Sequence, residues 1–504
     1  MTDQPATKQR KGVPIWALLA IVIVAAGVTA IATLLAARIG VTKGESNMQY
    51  TQVVQLDSKT YDPAVWGQNF KIQYDAYKAT ANFTPTAHNA ALVANTSEVH
   101  TSTDPAEAAK DTRTQTTASK LAEDPRLKIM WAGNAFALDY RHLRGHEYML
   151  EDQRTTLRVL KPAKPQPGAC LNCHGSLPEV LTELGGGQTM DQWNAGFDAM
   201  NKMLYTDATT HAKGPIACID CHDPATMKLR ITRPALINGL KAEMAAKGIA
   251  NYDVNRDATQ AEMRTYVCAQ CHVEYYFKGD DKTLTFPWKY GTDIDNVFRL
   301  YNDPDVNFSD FTHKTTGASI LKAQHPEYEA WSAGVHAANK VTCADCHMSY
   351  QRNGSQKVSN HDITTPMVNV RGTCGTCHTA SEQTIRDRVA TIQNRYILSR
   401  DRALDALTQL ISQIDAAKQG GTVPQTQIDL ALKYQREASF YTDYGYSENS
   451  YGFHAPDYFQ RIFNTALDAS RKGELALMGI PEAQLEPSDV AKANSDKVDA
   501  SGLK

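Results

Sequence analysis

Apolar residues are concentrated in long patterned segments at the two ends of the chain, with an irregular, more polar middle between them. Residues 13–37 contain no charged side chain, and this run is long enough to cross a bilayer as one helix. Apolar residues recur at helical spacing through 381–417, and two further helices are expected at 426–444 and 456–477. The pattern predicts a mainly α-helical chain with an N-terminal transmembrane helix and long C-terminal helices.

The first C-terminal helix has a regular apolar stripe that ends before the glycine pair Gly420 and Gly421. Its positions are Ile385, Val389, Ile392, Ile397, Leu404, Leu407, Ile411 and Ile414. Such a stripe is equally typical of a helical hairpin packed on its own core and of a face that pairs with a second copy of the chain.

The hydropathy pattern also divides the chain into segments. A polar tail at 1–12 carries Lys8, Arg10 and Lys11 ahead of the anchor at 13–38, which predicts that the tail is cytoplasmic and the rest extracytoplasmic. Length favours a retained anchor over a cleaved signal peptide, although the Leu-Leu-Ala-Ala run at 34–37 is compatible with cleavage. A stalk at 39–60, a main region at 61–380, a helical region at 381–480 and a polar tail at 481–504 follow.

The main region contains five copies of Cys-x-x-Cys-His, the attachment motif of a c-type haem. The thiols bond to the porphyrin and the histidine ligates the iron. The copies are Cys170, Cys173 and His174; Cys218, Cys221 and His222; Cys268, Cys271 and His272; Cys343, Cys346 and His347; and Cys374, Cys377 and His378. They use all ten cysteines, and a histidine follows every pair, which favours haem over zinc knuckles or disulfides. The sequence predicts a multihaem cytochrome c core with five covalently bound haems and short helices packed on them.

Composition adds two constraints. The net charge of −3 gives no basic excess for a nucleic-acid partner. Ten histidines lie outside the motifs, and a six-coordinate haem needs one of them as its second ligand. They are His88, His100, His142, His146, His211, His313, His325, His336, His361 and His454. If four haems are ligated in this way, one keeps an open face, and histidine counting alone does not say which.

Three segments resemble the ammonia-forming pentahaem cytochrome c nitrite reductase family. They read Cys-Ala-Gln-Cys-His-Val-Glu-Tyr-Tyr-Phe at 268–277, Leu-Lys-Ala-Gln-His-Pro-Glu-Tyr-Glu-Ala-Trp at 321–331 and Ala-Gly-Val-His at 333–336. Arg144, His146 and the segment around Arg158 also match, so the likeness spans roughly residues 125–470. Most members have Cys-x-x-Cys-Lys at the active haem, whereas this chain has His174 there and resembles the histidine-ligated variant.

The resemblance implies which histidines face each other across a haem. It places His146 opposite His272, His336 opposite His378, His361 opposite His222 and His454 opposite His347. The haem of Cys170 and Cys173 then keeps an open face for substrate.

The resemblance also implies the groups around that face. Arg158, Tyr275 and His325 match the catalytic residues, although an arginine near a haem often pairs with a propionate instead. Glu274, the main-chain oxygens of Tyr275 and Lys322, and the Gln324 amide match a calcium site, whose oxygen donors suit a hard cation. A hydrogen-bonded turn is the alternative for these four residues.

The implied activity is six-electron reduction of nitrite to ammonium, with electrons from a membrane quinol-oxidising cytochrome. The implied state is a homodimer on the extracytoplasmic (periplasmic) side of the membrane, attached through the N-terminal helix. Two alternatives differ in class: an electron-transfer cytochrome without a substrate site, and a multihaem enzyme that acts on hydroxylamine or sulfur oxyanions.

Overall fold

The computed structural model describes residues 14–46, 52–82, 117–142, 145–160, 165–354 and 356–487. The N-terminal apolar run forms the helix Ile15–Ser46, as predicted. Its segment Ile15–Ile39 has a mean hydropathy of 2.7, and none of it is buried against the rest of the chain. By length and composition it is the one described helix that can cross a membrane. The predicted tail at 1–12 lies outside the described residues.

Short helices and three small hairpins make up the described part of residues 52–380. The α-helices are Pro63–Asn69, Lys71–Lys78, Lys120–Glu123, Arg126–Met130, Met149–Arg154, Leu157–Leu160, Leu171–His174, Pro178–Gly185, Met190–Lys202, Tyr205–Ala208, Cys218–Cys221, Pro234–Ala246, Val254–Asp257, Gln260–Ala269, Ile294–Tyr301, Glu327–Ser332, Val335–Ala338 and Cys343–His347. The 3-10 turns are Ala79–Ala81, Ala135–Ala137, His146–Tyr148, Gly168–Cys170, Pro366–Val368 and Cys374–Thr376. The antiparallel hairpins pair Tyr276–Lys278 with Thr283–Thr285, Phe311–Thr312 with Ser319–Ile320, and Tyr350–Asn353 with Gln356–Ser359.

Local capping explains where two of the haem motifs begin. The helix Gln260–Ala269 starts at a capping box in which the Thr259 hydroxyl and the Glu262 carboxylate satisfy each other's backbone N–H groups. Thr342 and Asp345 form the same box at the start of Cys343–His347. In both cases the cap fixes the direction from which the helix presents its cysteines.

Three long helices close the chain and confirm the predicted C-terminal bundle. They are Glu382–Gly420, Gln425–Ser447 and Pro456–Leu477, followed by the short helix Glu482–Leu485. Ser381 caps the first helix by accepting a hydrogen bond from the Thr384 N–H, and Gly421, with φ of 62°, ends it in the left-handed conformation. Four residues of the apolar stripe, Leu404, Leu407, Ile411 and Ile414, pack in core clusters with residues of the other two helices, whereas Ile385 and Ile392 are only partly buried.

A buried polar network joins three of the five motif loops. Arg233 donates to the Asp220 carboxylate at 3.0 Å and to the Gly175 carbonyl at 3.0 Å. Gln270 donates to the Asp220 carbonyl at 3.3 Å, and the Gln270 carbonyl accepts from Asn172 at 3.2 Å. Asn172, Asp220 and Gln270 are middle residues of the first, second and third Cys-x-x-Cys motifs, and all three are fully buried with Arg233. The network therefore fixes three motifs relative to one another.

Asp220→Ala should destabilise the fold by about 3–5 kcal/mol, because it leaves the Arg233 charge buried and unpaired. Denaturant unfolding of the holoprotein measures this free energy. Asp468→Ala is the control, since the Asp468–Arg471 pair is about half exposed and such pairs contribute about 0–1 kcal/mol. Equal stability of the two variants would show that the network is not a major support of the fold.

Candidate haem sites and active site

Each Cys-x-x-Cys-His motif lies in or directly after one short helical turn. In the second motif, the His222 N–H donates to the Cys218 carbonyl at 2.9 Å, and in the fifth, the His378 N–H donates to the Cys374 carbonyl at 2.8 Å. A single turn of this kind brings residues three and four apart onto one face. Both thiols and the imidazole of a motif can therefore contact one flat ligand.

One continuous cavity of about 2130 Å³ connects the five motifs. Its lining includes all ten cysteines, all five motif histidines and the four histidines predicted to face them. A pocket for one small ligand is typically about 300–1,000 Å³, so this space is suited to several large cofactors. All ten cysteines are free thiols. Among the described residues, moreover, no three Cys, His, Asp or Glu side chains are grouped as metal ligands, so the site fits haem attachment better than disulfides or zinc knuckles.

The structure brings together the four predicted histidine pairs. The ring centroids are 6.3 Å apart for His146 and His272, 6.2 Å for His222 and His361, 6.4 Å for His336 and His378, and 6.4 Å for His347 and His454. A metal–imidazole bond is about 2.0–2.1 Å long, so two imidazoles on opposite sides of one metal atom have centroids roughly 6 Å apart. The spacing of every pair is right for an iron between the rings.

Several of these imidazoles are held by hydrogen bonds at Nδ1, which leaves Nε2 to face the cavity. Nδ1 lies 2.9 Å from the Met227 carbonyl in His222, and 2.8 Å from the Thr364 carbonyl in His347. In His361, Nδ1 lies 2.9 Å from the Ser359 carbonyl. Partners of this kind fix the ring orientation of a metal-binding histidine.

Two other histidines of the pairs face carboxylates instead of carbonyls. Nδ1 of His454 lies 2.7 Å from Oε1 of Glu448, whose side chain is completely buried. Nδ1 of His272 lies 3.7 Å from Oε2 of Glu327. Burial lowers the pKa of both histidines, but the carboxylates more than offset that effect, and the net shifts are upward. A carboxylate partner makes an imidazole a stronger electron donor to a metal.

His174 of the first motif differs from the other four motif histidines. Its Nδ1 lies 3.0 Å from the Met149 carbonyl, but no described histidine ring faces it at the spacing of the four pairs. The pKa of His174 is lowered to about 4, mainly by burial, with smaller contributions from the nearby His325 and Arg158.

The spare histidines that the structure describes are engaged elsewhere. His142 pairs with Glu123 at 2.7 Å, His211 pairs with Glu183 at 3.0 Å, and Nε2 of His313 lies 2.9 Å from the Ile129 carbonyl. His88 and His100 lie outside the described residues.

Arg158, Tyr275 and His325 line the cavity on the side of the first motif. Arg158 is buried and donates to two uncharged oxygens, the Asp139 carbonyl at 3.1 Å and Oε1 of Gln153 at 3.1 Å. Burial, with further contributions from Cys170 and Cys173, raises the pKa of Tyr275 well above its usual value, so the phenol keeps its proton. The structure thus groups a cation and a proton-bearing phenol with an imidazole beside His174.

Glu327 is a member of this region that the motif analysis did not assign. Its buried carboxylate lies 3.9 Å from Nδ1 of His325 and 3.7 Å from Nδ1 of His272, and it accepts from the Asn449 amide at 2.5 Å. It therefore connects the first motif's surroundings to the third motif. In the sequence, Glu327 stands two residues after His325 in the run His-Pro-Glu, and this proximity could have identified it.

Three of the four predicted calcium ligands, Glu274, Lys322 and Gln324, lie close together. Oε2 of Glu274 accepts from the Gln324 N–H at 2.7 Å, and the Gln324 amide donates to the Lys322 carbonyl at 3.0 Å. Burial raises the pKa of Glu274 well above its usual value, and Glu329 adds to the rise. Exchanging the positions of the amide nitrogen and oxygen of Gln324 would place the oxygen next to the Lys322 carbonyl. Both oxygens would then lie beside the Glu274 carboxylate. This all-oxygen donor set fits a hard cation, which would also compensate the buried carboxylate.

Comparison with known proteins agrees with this architecture. Residues 62–500 match the family model described as cytochrome c552. Cytochrome c-552 of Parabacteroides distasonis is 39% identical over 357 residues, covering 70% of this chain and 68% of that protein. Cytochrome c-552 of Bacteroides fragilis is 38% identical over 364 residues, covering 71% and 69%.

A solved structure has the same fold. The cytochrome c nitrite reductase of Desulfovibrio desulfuricans, a catalytic subunit with two calcium sites, aligns with a TM-score of 0.69 at 24% identity, covering 87% of this chain and 90% of that one. The predicted fold class, a mainly helical multihaem cytochrome, is thereby confirmed. With a family model matched over most of its length, this chain belongs to the cytochrome c552 family.

Proposed function

We propose that this protein reduces nitrite to ammonium at the haem site of Cys170, Cys173 and His174. The observation that carries the proposal is an asymmetry among the five motifs. Four motif histidines have a second imidazole 6.2–6.4 Å away, whereas His174 has none among the described residues and is accompanied by Arg158 and His325. A pure electron carrier has no need of an open site lined by a buried cation and proton donors.

The proposed cofactors are five covalently bound c-type haems. In four of the sites the motif histidine and its facing partner would both bind the iron: His272 with His146, His222 with His361, His378 with His336, and His347 with His454. The first haem would be held by His174 alone, as in the histidine-ligated variant of the ammonia-forming family. When bound, the haems would supply the redox chemistry and relay electrons from the donor.

The protein's own residues bind the anion and deliver protons. Nitrite reduction to ammonium and two waters takes up six electrons and eight protons, so an anion must enter and protons must follow. The Arg158 guanidinium offers a fork of donors that suits a small planar oxyanion. The imidazole of His325 lines the cavity beside the first motif, where it can pass protons to the departing oxygens. The Tyr275 phenol donates a hydrogen bond to reduced nitrogen species.

A calcium ion at Glu274 and Gln324, with the main-chain oxygens of Tyr275 and Lys322, belongs to the same proposal. Its ligands would come from the two segments that carry Tyr275 and His325, so the ion would hold those side chains in register. The D. desulfuricans enzyme, which has two calcium sites, supports this assignment.

The proposed setting is the extracytoplasmic, periplasmic face of the membrane. Haem attachment to c-type cytochromes and the apolar helix Ile15–Ser46 support a protein anchored there. We propose a membrane quinol-oxidising cytochrome as the electron donor and a homodimer as the assembly.

The direct test is a steady-state assay of the holoprotein with reduced viologen and nitrite, measuring ammonium. His325→Ala and Arg158→Ala should each lower nitrite turnover about a hundredfold or more, since each removes a fixed donor aimed at developing charge. His325→Ala should affect hydroxylamine reduction less, because the one N–O cleavage that precedes hydroxylamine is not required.

His211→Ala is the matched control, because His211 pairs with Glu183 outside the haem cavity. Near wild-type nitrite turnover in both site variants, with five haems present by intact mass, would place the active site elsewhere. No ammonium at all, together with five low-spin haems, would indicate an electron carrier, whereas turnover of hydroxylamine or sulfite alone would indicate a different multihaem enzyme.

Calcium removal should lower nitrite turnover by about tenfold to a hundredfold, since misplacing a catalytic group by an ångström has effects of that order. Chelation followed by metal analysis and assay measures this, with calcium addition restoring activity and Glu274→Ala abolishing the restoration. Full turnover in protein shown to be free of calcium would contradict the assignment.

Glu448→Gln should raise the midpoint potential of one haem by on the order of 50 mV, about one tenfold step in a one-electron equilibrium. The physical reason is that the variant removes a buried negative charge 2.7 Å from Nδ1 of His454, and that charge favours the oxidised iron. Spectropotentiometry of the holoprotein measures the potential. Glu474→Gln, on the helix Pro456–Leu477 and outside the cavity lining, should leave all five potentials unchanged.

A further inference from the structure

A small aromatic wall stands beside the proposed active site. Its three rings pack with centroids 5.1–5.8 Å apart: Trp131, Phe136 and Tyr140. Three cationic side chains lie against these rings. Nζ of Lys322 is 4.7 Å from two of the ring centroids, the Arg158 guanidinium is 4.2 Å from the Phe136 centroid, and Nζ of Lys120 is 4.7 Å from the Tyr140 centroid.

The three cations differ in how their charge is compensated. Nζ of Lys322 pairs with the buried Asp443 carboxylate at 3.0 Å. Arg158 contacts only uncharged oxygens within the described residues. Lys120 has neither an ion pair nor a hydrogen bond at Nζ in the described part of the chain. Within the described residues neither Lys120 nor Arg158 forms an ion pair, since the Asp139 carboxylate that acts on Arg158 pairs with Arg141 at 2.9 Å.

The acidic side chains nearest to Lys120 already have partners. Glu123 pairs with His142 at 2.7 Å, and Glu327 lies between His272 and His325. Neither forms an ion pair with Lys120.

Lys120 is held firmly in this position. Its backbone N–H donates to the Tyr140 carbonyl at 2.9 Å, and the residue is only 8% exposed. Its side chain lines the haem cavity together with Tyr140 and Arg158. The Lys120 pKa is lowered to about 8, mainly by burial and to a lesser extent by the charge of Arg400. A lysine still charged at neutral pH, removed from water and without a counter-ion, calls for an anion in the cavity, because cation–π contact offsets only part of the lost hydration.

We propose that Lys120 is a second anion-binding side chain of the haem cavity, acting beside Arg158 from the same aromatic wall. The ligand is a small anionic group that accepts hydrogen bonds. Two sources share this chemistry: the incoming oxyanion substrate and a propionate of the bound haem. The inference rests on the proposed haem site but not on nitrite being the physiological substrate.

The test compares Lys120→Met and Lys120→Arg in the holoprotein. Lys128→Met is the matched control, since Lys128 is an exposed lysine on the adjacent helix Arg126–Met130. Nitrite and azide are titrated into oxidised protein without reductant, and the dissociation constants are read from the haem spectrum. The midpoint potentials are measured on the same samples. Lys120→Gln provides a second neutral variant if Lys120→Met does not mature with five haems.

If the substrate is the anion, the neutral variants should raise both dissociation constants roughly tenfold to a hundredfold, the equivalent of one charge-assisted hydrogen bond. Lys120→Arg should stay near wild type. If a propionate is the anion, both dissociation constants should stay unchanged. The midpoint potential of one haem should then fall, because a positive charge beside that haem is lost. Either result supports the proposal.

Unchanged binding and unchanged potentials in both neutral variants, relative to Lys128→Met, would overturn it. Because titration requires no turnover, a protein that binds anions through Lys120 yet makes no ammonium would contradict the proposed function and leave this inference standing.

Discussion

The arrangement of the haem motifs depends on one buried ion pair, Arg233 with Asp220. Haem chemistry places no demand on the two residues between the cysteines of Cys-x-x-Cys, yet in three motifs one of them is a fully buried polar side chain. Arg233 reaches the second motif through Asp220 and the first through the Gly175 carbonyl, and Gln270 of the third motif closes the network. Electron transfer between haems needs fixed distances, and the network fixes the backbone of the three motifs that would hold three of the proposed haems.

With the motifs fixed in this way, the five haem sites differ mainly in the groups that contact their histidines. Carbonyl partners hold His222, His347 and His361 in place without adding charge. Carboxylates hold His454 and His272, and their negative charge would act on a metal bound to those imidazoles. His174 has a carbonyl partner and no facing imidazole among the described residues. Sites built from one repeated motif thus become chemically distinct through residues outside the motif.

Sequence analysis reached the parts of this protein that local spacing determines. The Cys-x-x-Cys-His units and the three C-terminal helices follow from short-range pattern, and family resemblance supplied the facing histidines. In the predicted apolar stripe on Glu382–Gly420, Leu404 and Leu407 are buried in the protein core. Ile385 and Ile392, by contrast, are only partly buried and line the haem cavity. Helical periodicity identifies an apolar face without saying whether protein or cofactor covers it.

The charged contacts could not be predicted because they join residues far apart in the chain. Asp443 reaches Lys322 from the helix Gln425–Ser447, and Glu327 faces His272 from another segment altogether. Each of these residues, considered alone, is of a charged type that is usually exposed to solvent. Only the fold reveals that they are buried, and burial is what gives each charge its effect on a neighbour.

Buried positive charge is concentrated on one wall of the cavity. Lys120 and Arg158 lie on the wall beside His174, whereas Glu448 lies on His454 of a paired site and Glu327 lies between His272 and His325. Negative charge next to a haem favours its oxidised state, and positive charge favours both the reduced state and anion binding. With haems in these sites, the same separation that draws an anion toward the first motif also favours electron flow in that direction. The net charge of −3 gives the chain no overall attraction for an anion, so local positive charge would have to draw one into the cavity.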